Sequence, residues 1–116
     1  MLNDETHYRL LKLIARNPEM SQRELADAMG VSVGKINYCL RAVIERGLVK
    51  VNNFKANSHK RAYAYYVTPK GVTVKAKLAI QFLQRKLAEY RDLKDQIEQL
   101  QREVETSRLT AEETND

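Results

Sequence analysis

Residues 21–47, SQRELADAMGVSVGKINYCLRAVIERG, decide the fold, because they read as two short helices joined by a tight turn. The first helix opens with a capping box: the Ser21 hydroxyl accepts from a backbone N–H while Glu24, three residues on, reaches back to the cap. Met20 and Leu25 fall where a hydrophobic staple closes the same end. Gly30 supplies the positive-φ residue that a sharp exit needs. Ser32 caps a second helix whose Ile36, Leu40, Val43 and Ile44 form one apolar stripe. Ala26 is small where two crossing helices touch, and Gly47 ends the second helix.

Two capped helices around such a turn have the form of a DNA-binding helix-turn-helix, in which the second helix enters the major groove. The face of that helix away from the stripe carries Val33, Gly34, Lys35, Asn37, Tyr38 and Arg41, clustered toward its N-terminus. Lys and Arg donate to guanine edges or phosphates, Asn pairs with adenine, and Gly34 lets the backbone come close. A helix N-terminus also favours a phosphate. Amphipathicity alone would leave these as ordinary solvated residues; the turn and the surrounding charge favour DNA.

The 116 residues suit one compact domain plus an extension. No apolar run is long enough to span a bilayer, the N-terminus has no secretory pattern, and the single cysteine fits a reducing cytoplasm. A cytoplasmic location without membrane contact is therefore expected. The net charge of +5 understates an asymmetry. Residues 33–70 hold eight Lys/Arg against one acid, Glu45, whereas residues 71–116 hold eight basic and nine acidic residues. Cationic charge gathered on one segment is the footprint of a polyanion.

Outward from the central stretch, a first helix is expected from about Glu5 to Arg16, with His7, Leu10, Leu11 and Ile14 on one face and Pro18 beyond its end. After Gly47, residues 48–54 (LVKVNNF) and 62–68 (AYAYYVT) are rich in β-branched and aromatic types and flank the polar KANSHKR. The expected architecture is mainly α with a small β-hairpin wing: a winged helix-turn-helix over residues 1–68. The wing tip would carry Lys55, Asn57, Ser58, His59, Lys60 and Arg61 toward the minor groove or neighbouring phosphates.

Thr68 and Pro69 open a further long helix, as cap and first helical residue. It is expected to run to about Thr106, followed by a disordered tail over 107–116. Tyr90, Leu93, Ile97, Leu100 and Val104 are spaced 3, 4, 3, 4, a heptad pattern with Tyr90, Ile97 and Val104 at a and both leucines at d. Ala76, Ala79, Ile80, Phe82, Leu83 and Leu87 broaden the stripe nearer the domain. Residues 69–106 therefore read as a coiled-coil-like dimerisation helix, with Leu83, Leu87, Tyr90, Leu93, Ile97, Leu100 and Val104 at the homodimer contact. β-Branched residues at a with Leu at d favour a parallel pair, and Glu89 would then face Lys94, and Glu103 face Arg108, across the two copies. An antiparallel pairing stays open.

With these elements in place, the chain resembles the MarR (multiple antibiotic resistance regulator) family of winged-helix transcription factors. The resemblance spans roughly residues 5 to 85, through ELADAMGVSVGKINYCLRAVIERGLVK and then HKRAYAYYVTPKG. Many members carry a D-x-R element in the wing and a leucine-threonine start to the next helix. Arg61 and Val67-Thr68 match these, but His59 stands where the acid belongs. Typical members are longer and place an additional helix before the helix-turn-helix. With little before its first helix, this chain is more similar to the short members associated with bacterial exopolysaccharide loci. The resemblance implies a bacterial regulator of transcription, with a small phenolic effector or cysteine oxidation as common means of control. Neither is evident here: Cys39 sits at the edge of the apolar stripe, and Tyr63, Tyr65 and Tyr66 suit strand pairing as well as a pocket.

The expectation is a sequence-specific, double-stranded DNA-binding regulator acting as a homodimer on an inverted repeat. Ser32, Gly34, Lys35, Asn37 and Tyr38 would read or approach bases; Arg41, Lys55, Lys60 and Arg61 would neutralise phosphates. The alternative is a winged-helix protein–protein interaction module with only non-specific nucleic-acid affinity. No metal-ligand spacing, phosphate loop or catalytic pairing is present in the sequence, so neither an enzyme nor a metal or other cofactor is expected.

Overall fold

The structure is a computed structural model that describes the backbone of residues 4–57 and 60–114 and the side chains of residues 5–52 and 63–113. Its order is α1 (Asp4–Arg16), α2 (Gln22–Met29), α3 (Val33–Glu45), β1 (Val49–Asn57), β2 (Lys60–Val67) and α4 (Pro69–Thr114). The chain divides into two compact units, Met1–Phe82 and Leu83–Asp116. The expected boundary after Thr68 thus lies inside the first unit, which includes the start of α4.

The first unit closes around residues drawn from every element. Leu10, Leu11 and Ile14 of α1, Leu25, Ala26 and Met29 of α2, and Ile36, Cys39, Leu40 and Val43 of α3 are buried in one cluster with Leu48, Val49, Tyr65 and Leu78. Fully burying a Leu or Ile side chain stabilises by about 1.5–3 kcal/mol, so this cluster is what holds three short helices that would be marginal alone. His7 is buried on the same face of α1.

Local chemistry sets the joints. The capping box of α2 is formed, with the Glu24 amide donating to Ser21 Oγ at 3.1 Å and the Ser21 amide donating to Glu24 Oε1 at 3.2 Å. Gly30 sits at φ +67°, and the Val31 amide then donates back to the Ala26 carbonyl at 3.0 Å. A side chain at that φ would be strained, which is why the turn takes glycine. Ser32 caps α3 through the Lys35 amide at 3.1 Å, and α3 ends just before Gly47, at φ +73°.

The hairpin is a two-stranded antiparallel ribbon in which Val49 faces Val67 and Asn52 faces Ala64. It extends further than the sequence pattern suggests. Lys55 pairs with Arg61 and Asn57 with Lys60, with an irregularity between Lys55 and Asn57, so most of KANSHKR is strand and not loop. Backbone pairing needs no apolar side chain, and hydropathy therefore under-reads the length of a ribbon. At its base the Tyr65 amide donates to the Pro18 carbonyl at 2.8 Å, tying β2 to the α1–α2 connection.

Helix α4 starts where Thr68 is fixed twice to the end of α3 and the start of the wing. Its amide donates to the Leu48 carbonyl at 2.9 Å and its hydroxyl to the Gly47 carbonyl at 2.6 Å. The same hydroxyl accepts from the Gly71 amide at 3.0 Å, as an N-cap should. A Cβ at Gly71 would run into the Leu48 carbonyl and lie 2.7 Å from Val67 Cγ1, so this helix can begin against the wing only with glycine there.

The second unit is the remainder of α4. The helix continues past Thr106 to Thr114, which corrects the expected tail over residues 107–114. Leu109, Ala111 and the flanking Glu and Arg residues are good helix formers without a Gly or Pro to stop them, and loss of the heptad does not end a helix. Its apolar row is uncovered: Leu83, Leu87, Tyr90, Leu93, Ile97, Leu100 and Val104 are each 43–62% exposed.

Candidate nucleic-acid interface

The α2–α3 unit places one face of α3 inward and the other out. Ile36, Cys39, Leu40 and Val43 are buried, whereas Lys35, Tyr38 and Arg41 are turned away from the core. Lys35, Tyr38 and Arg41 are exposed, and Tyr38 reaches 74%, high for an aromatic ring that no element of its own unit covers. Gly34 is exposed as well; a Cβ there would meet only Ser32 Oγ, at 3.9 Å. The protein's own packing therefore does not require glycine at 34, and what its absence of side chain offers is bare backbone on the outer surface.

Asn37 and Ser32 are less free than the sequence implies. Asn37 is half-buried, and its Nδ2 donates to Gln22 Oε1 at 3.3 Å. Gln22 Nε2 in turn donates to the Tyr65 hydroxyl at a long 3.5 Å. Ser32 is exposed, but its hydroxyl is engaged as the cap of α3. Gln22 was not singled out from sequence, and Tyr65 was read there only as a strand or pocket residue. A glutamine in the first turn of a helix is commonplace, and its partners lie 15 and 43 residues away.

Electrostatics agree with an anionic partner. Within residues 33–70, Lys35, Arg41, Arg46, Lys50 and Lys70 are all exposed, against one acid, the exposed Glu45. Lys55, Lys60 and Arg61 have their backbone on the wing strands, but their side chains, with Asn57, lie outside the described residues, as do Ser58 and His59 altogether. Cys39 faces the other way, at 3% exposure. Burial pushes its thiol above the ordinary range, and the Lys35 charge pulls it part of the way back.

The uncovered row on α4 is the second candidate surface. Glu89, expected to meet Lys94 of another copy, is paired within its own helix with Lys86 at 3.1 Å. Both side chains are about half exposed, and such a pair contributes only ~0.2–1 kcal/mol, so exchanging it for another cation costs little.

Among the described residues no helix is long and apolar enough to cross a membrane, and no group of three His, Cys, Asp or Glu is placed to hold a metal ion.

Residues 3–50 match the winged helix-turn-helix DNA-binding family. No curated protein matches the chain by sequence. Among solved structures, a point mutant of Lactococcus lactis ZitR is similar at a TM-score of 0.59 and 21% identity, over 91% of this chain and 70% of that one. Staphylococcus aureus MarR, in complex with salicylate and kanamycin, gives 0.52 and 19% over 72% of this chain. Streptococcus pneumoniae FabT, in complex with DNA, gives 0.54 and 14% over 75% of this chain. The chain spans 54% of the length of that MarR and 59% of that FabT. The chain has a winged helix-turn-helix fold, matched by that family over residues 3–50 and shared with these solved structures.

Proposed function

We propose that the chain is a transcriptional regulator that binds an inverted repeat in duplex DNA as a homodimer. The observation that carries this reading is the outer face of α3, where Lys35, Tyr38 and Arg41 stand exposed beside Asn37 and the bare backbone of Gly34. FabT, of the same fold, was solved bound to DNA, which supports the assignment of this face to the major groove. In this reading Lys35, Asn37 and Tyr38 read base edges, and Ser32 and Gly34 bring the start of α3 close to the duplex. Arg41 neutralises phosphate, joined by Lys55, Lys60 and Arg61 of the wing.

The exposed row from Leu83 to Val104 supports the dimer, since a soluble helix rarely leaves seven large apolar residues aligned and uncovered. A second copy of the same row is the simplest cover, and a two-fold pair would set two recognition helices about 34 Å apart, one turn of duplex. Selection from random duplex DNA at physiological salt tests the whole reading. The expected product is an inverted repeat whose half-sites are centred one turn apart. Recovery of no motif, with binding that vanishes steeply as salt rises, would leave only a basic surface and overturn it.

A further inference from the structure

We infer that Gln22 is a positioning residue for base reading: it holds the Asn37 amide in place and couples the way that amide faces to its own, and Tyr65 of the wing holds Gln22. The inference rests on the proposed reading of DNA by α3. An asparagine recognises adenine when its oxygen faces the N6 amino group and its nitrogen faces N7. The two ends of the amide have nearly the same shape, so packing alone does not prevent a half-turn about χ2 that swaps donor and acceptor.

Here hydrogen bonding opposes it for either amide turning alone. Asn37 Nδ2 donates to Gln22 Oε1 at 3.3 Å, and Gln22 Nε2 donates to the Tyr65 hydroxyl at 3.5 Å. Donors therefore run in one direction, from α3 through the first turn of α2 to β2. Turning Asn37 over would set its oxygen against the Gln22 oxygen, with no proton between them. Turning Gln22 over alone would set N–H against N–H. Turning both together keeps both bonds, since the Tyr65 hydroxyl donates as well as accepts. The ties fix the place of the Asn37 amide and couple the two orientations. The far end is rigid, because Tyr65 is only 5% exposed in the core and its amide is bound to the Pro18 carbonyl at 2.8 Å. The arrangement consumes one Nδ2 proton of Asn37 and leaves the other, with Oδ1, for the base. It also couples the wing to the recognition helix through side chains alone.

The test uses the full chain and the duplex motif selected by the parent. N37A identifies the base pair whose preference depends on Asn37, and duplexes altered at that pair are the probes. Gln22→Met keeps length and removes both hydrogen bonds. It is expected to lower the preference at that pair on the order of tenfold, with the salt dependence of binding unchanged. Added to N37A, it should change nothing further. Gln22→Glu still accepts from Asn37, and the Tyr65 hydroxyl can turn to donate to it, so the preference should survive while all sequences bind more weakly. Tyr65→Phe should move the preference in the same direction as Gln22→Met and carries the test should that variant not fold.

A Gln22→Met preference within about twofold of the parent overturns the inference. So does equal loss in Gln22→Glu, or an N37A protein that keeps the parental motif. A parent with no base preference at all overturns the reading of DNA itself, and this inference with it.

Discussion

Leu40 and Leu100 are the same side chain on the same kind of helix, yet one is 1% exposed and the other 58%. The first belongs to a unit that supplies its own cover. Around Leu40, α1, α2, the wing and the start of α4 all contribute to one cluster. The second belongs to a unit that is a single helix, and a single helix cannot cover its own stripe. Hydrophobic character is thus not what separates the two regions; the availability of a facing surface is. Where the chain provides that surface, the residues become core. Where it does not, they remain exposed, and the proposed dimer is what would make the two regions alike.

The largest effect should come from charging the uncovered row. Ile97→Asp with Leu100→Asp should convert the proposed dimer to monomers in sedimentation while leaving the first unit folded. Two linked half-site contacts then become independent, so affinity for a full repeat should fall by roughly 10²–10⁴-fold. An undiminished dimer would break the comparison at its centre. Next in size is the contrast between the leucines themselves. Leu40→Ala removes packed core and should destabilise by about 2–5 kcal/mol in urea unfolding. Leu100→Ala should change protomer stability by no more than about 0.5 kcal/mol at concentrations too low for association. Smaller again is Gly71→Ala, which forces a methyl against the Leu48 carbonyl and Val67 where α4 leaves the wing. Overpacking of this kind costs about 1–3 kcal/mol, read as a lowered unfolding midpoint.

The features legible in the sequence were those written in consecutive residues. Ser21 and Glu24, Gly30, Ser32 and Gly47 each act within one turn of chain, and each is found acting as its spacing implies. The stripe of α3 was legible for the same reason, since helical periodicity is itself local. What escaped depends on partners distant in sequence. The strands run on through KANSHKR because each backbone finds the other, which no residue type announces. Gly71 is required by Leu48, 23 positions earlier, and looks like an indifferent glycine until the two are brought together. In the candidate site, exposure of Lys35, Tyr38 and Arg41 followed from the wheel of α3. The tie from Asn37 through Gln22 to Tyr65 did not, because it joins three elements.

The smallest effect lies between the two faces of α3, at Cys39. Its thiol is buried among core residues and Lys35, one turn earlier, is exposed, so burial and charge act on it in opposite directions. Burial is the larger, and the folded thiol holds its proton to a higher pH than the unfolded one does. A group of this kind contributes its full stability below the unfolded pKa and loses it as pH rises through the folded pKa. The melting temperature of the parent should therefore fall more steeply than that of Cys39→Ala as pH climbs past the ordinary thiol range. Lys35→Ala removes the opposing charge and should slow alkylation of Cys39 further. Duplex DNA whose phosphates or base edges engage Lys35 acts in the same sense, since a neutralised ammonium no longer stabilises a thiolate. Alkylation of Cys39 should thus be slower in the complex than in free protein, and slower by less in Lys35→Ala. A faster reaction on DNA would mean that binding opens the inner face of α3, and the division of that helix into a closed core face and an open reading face would not hold in the complex.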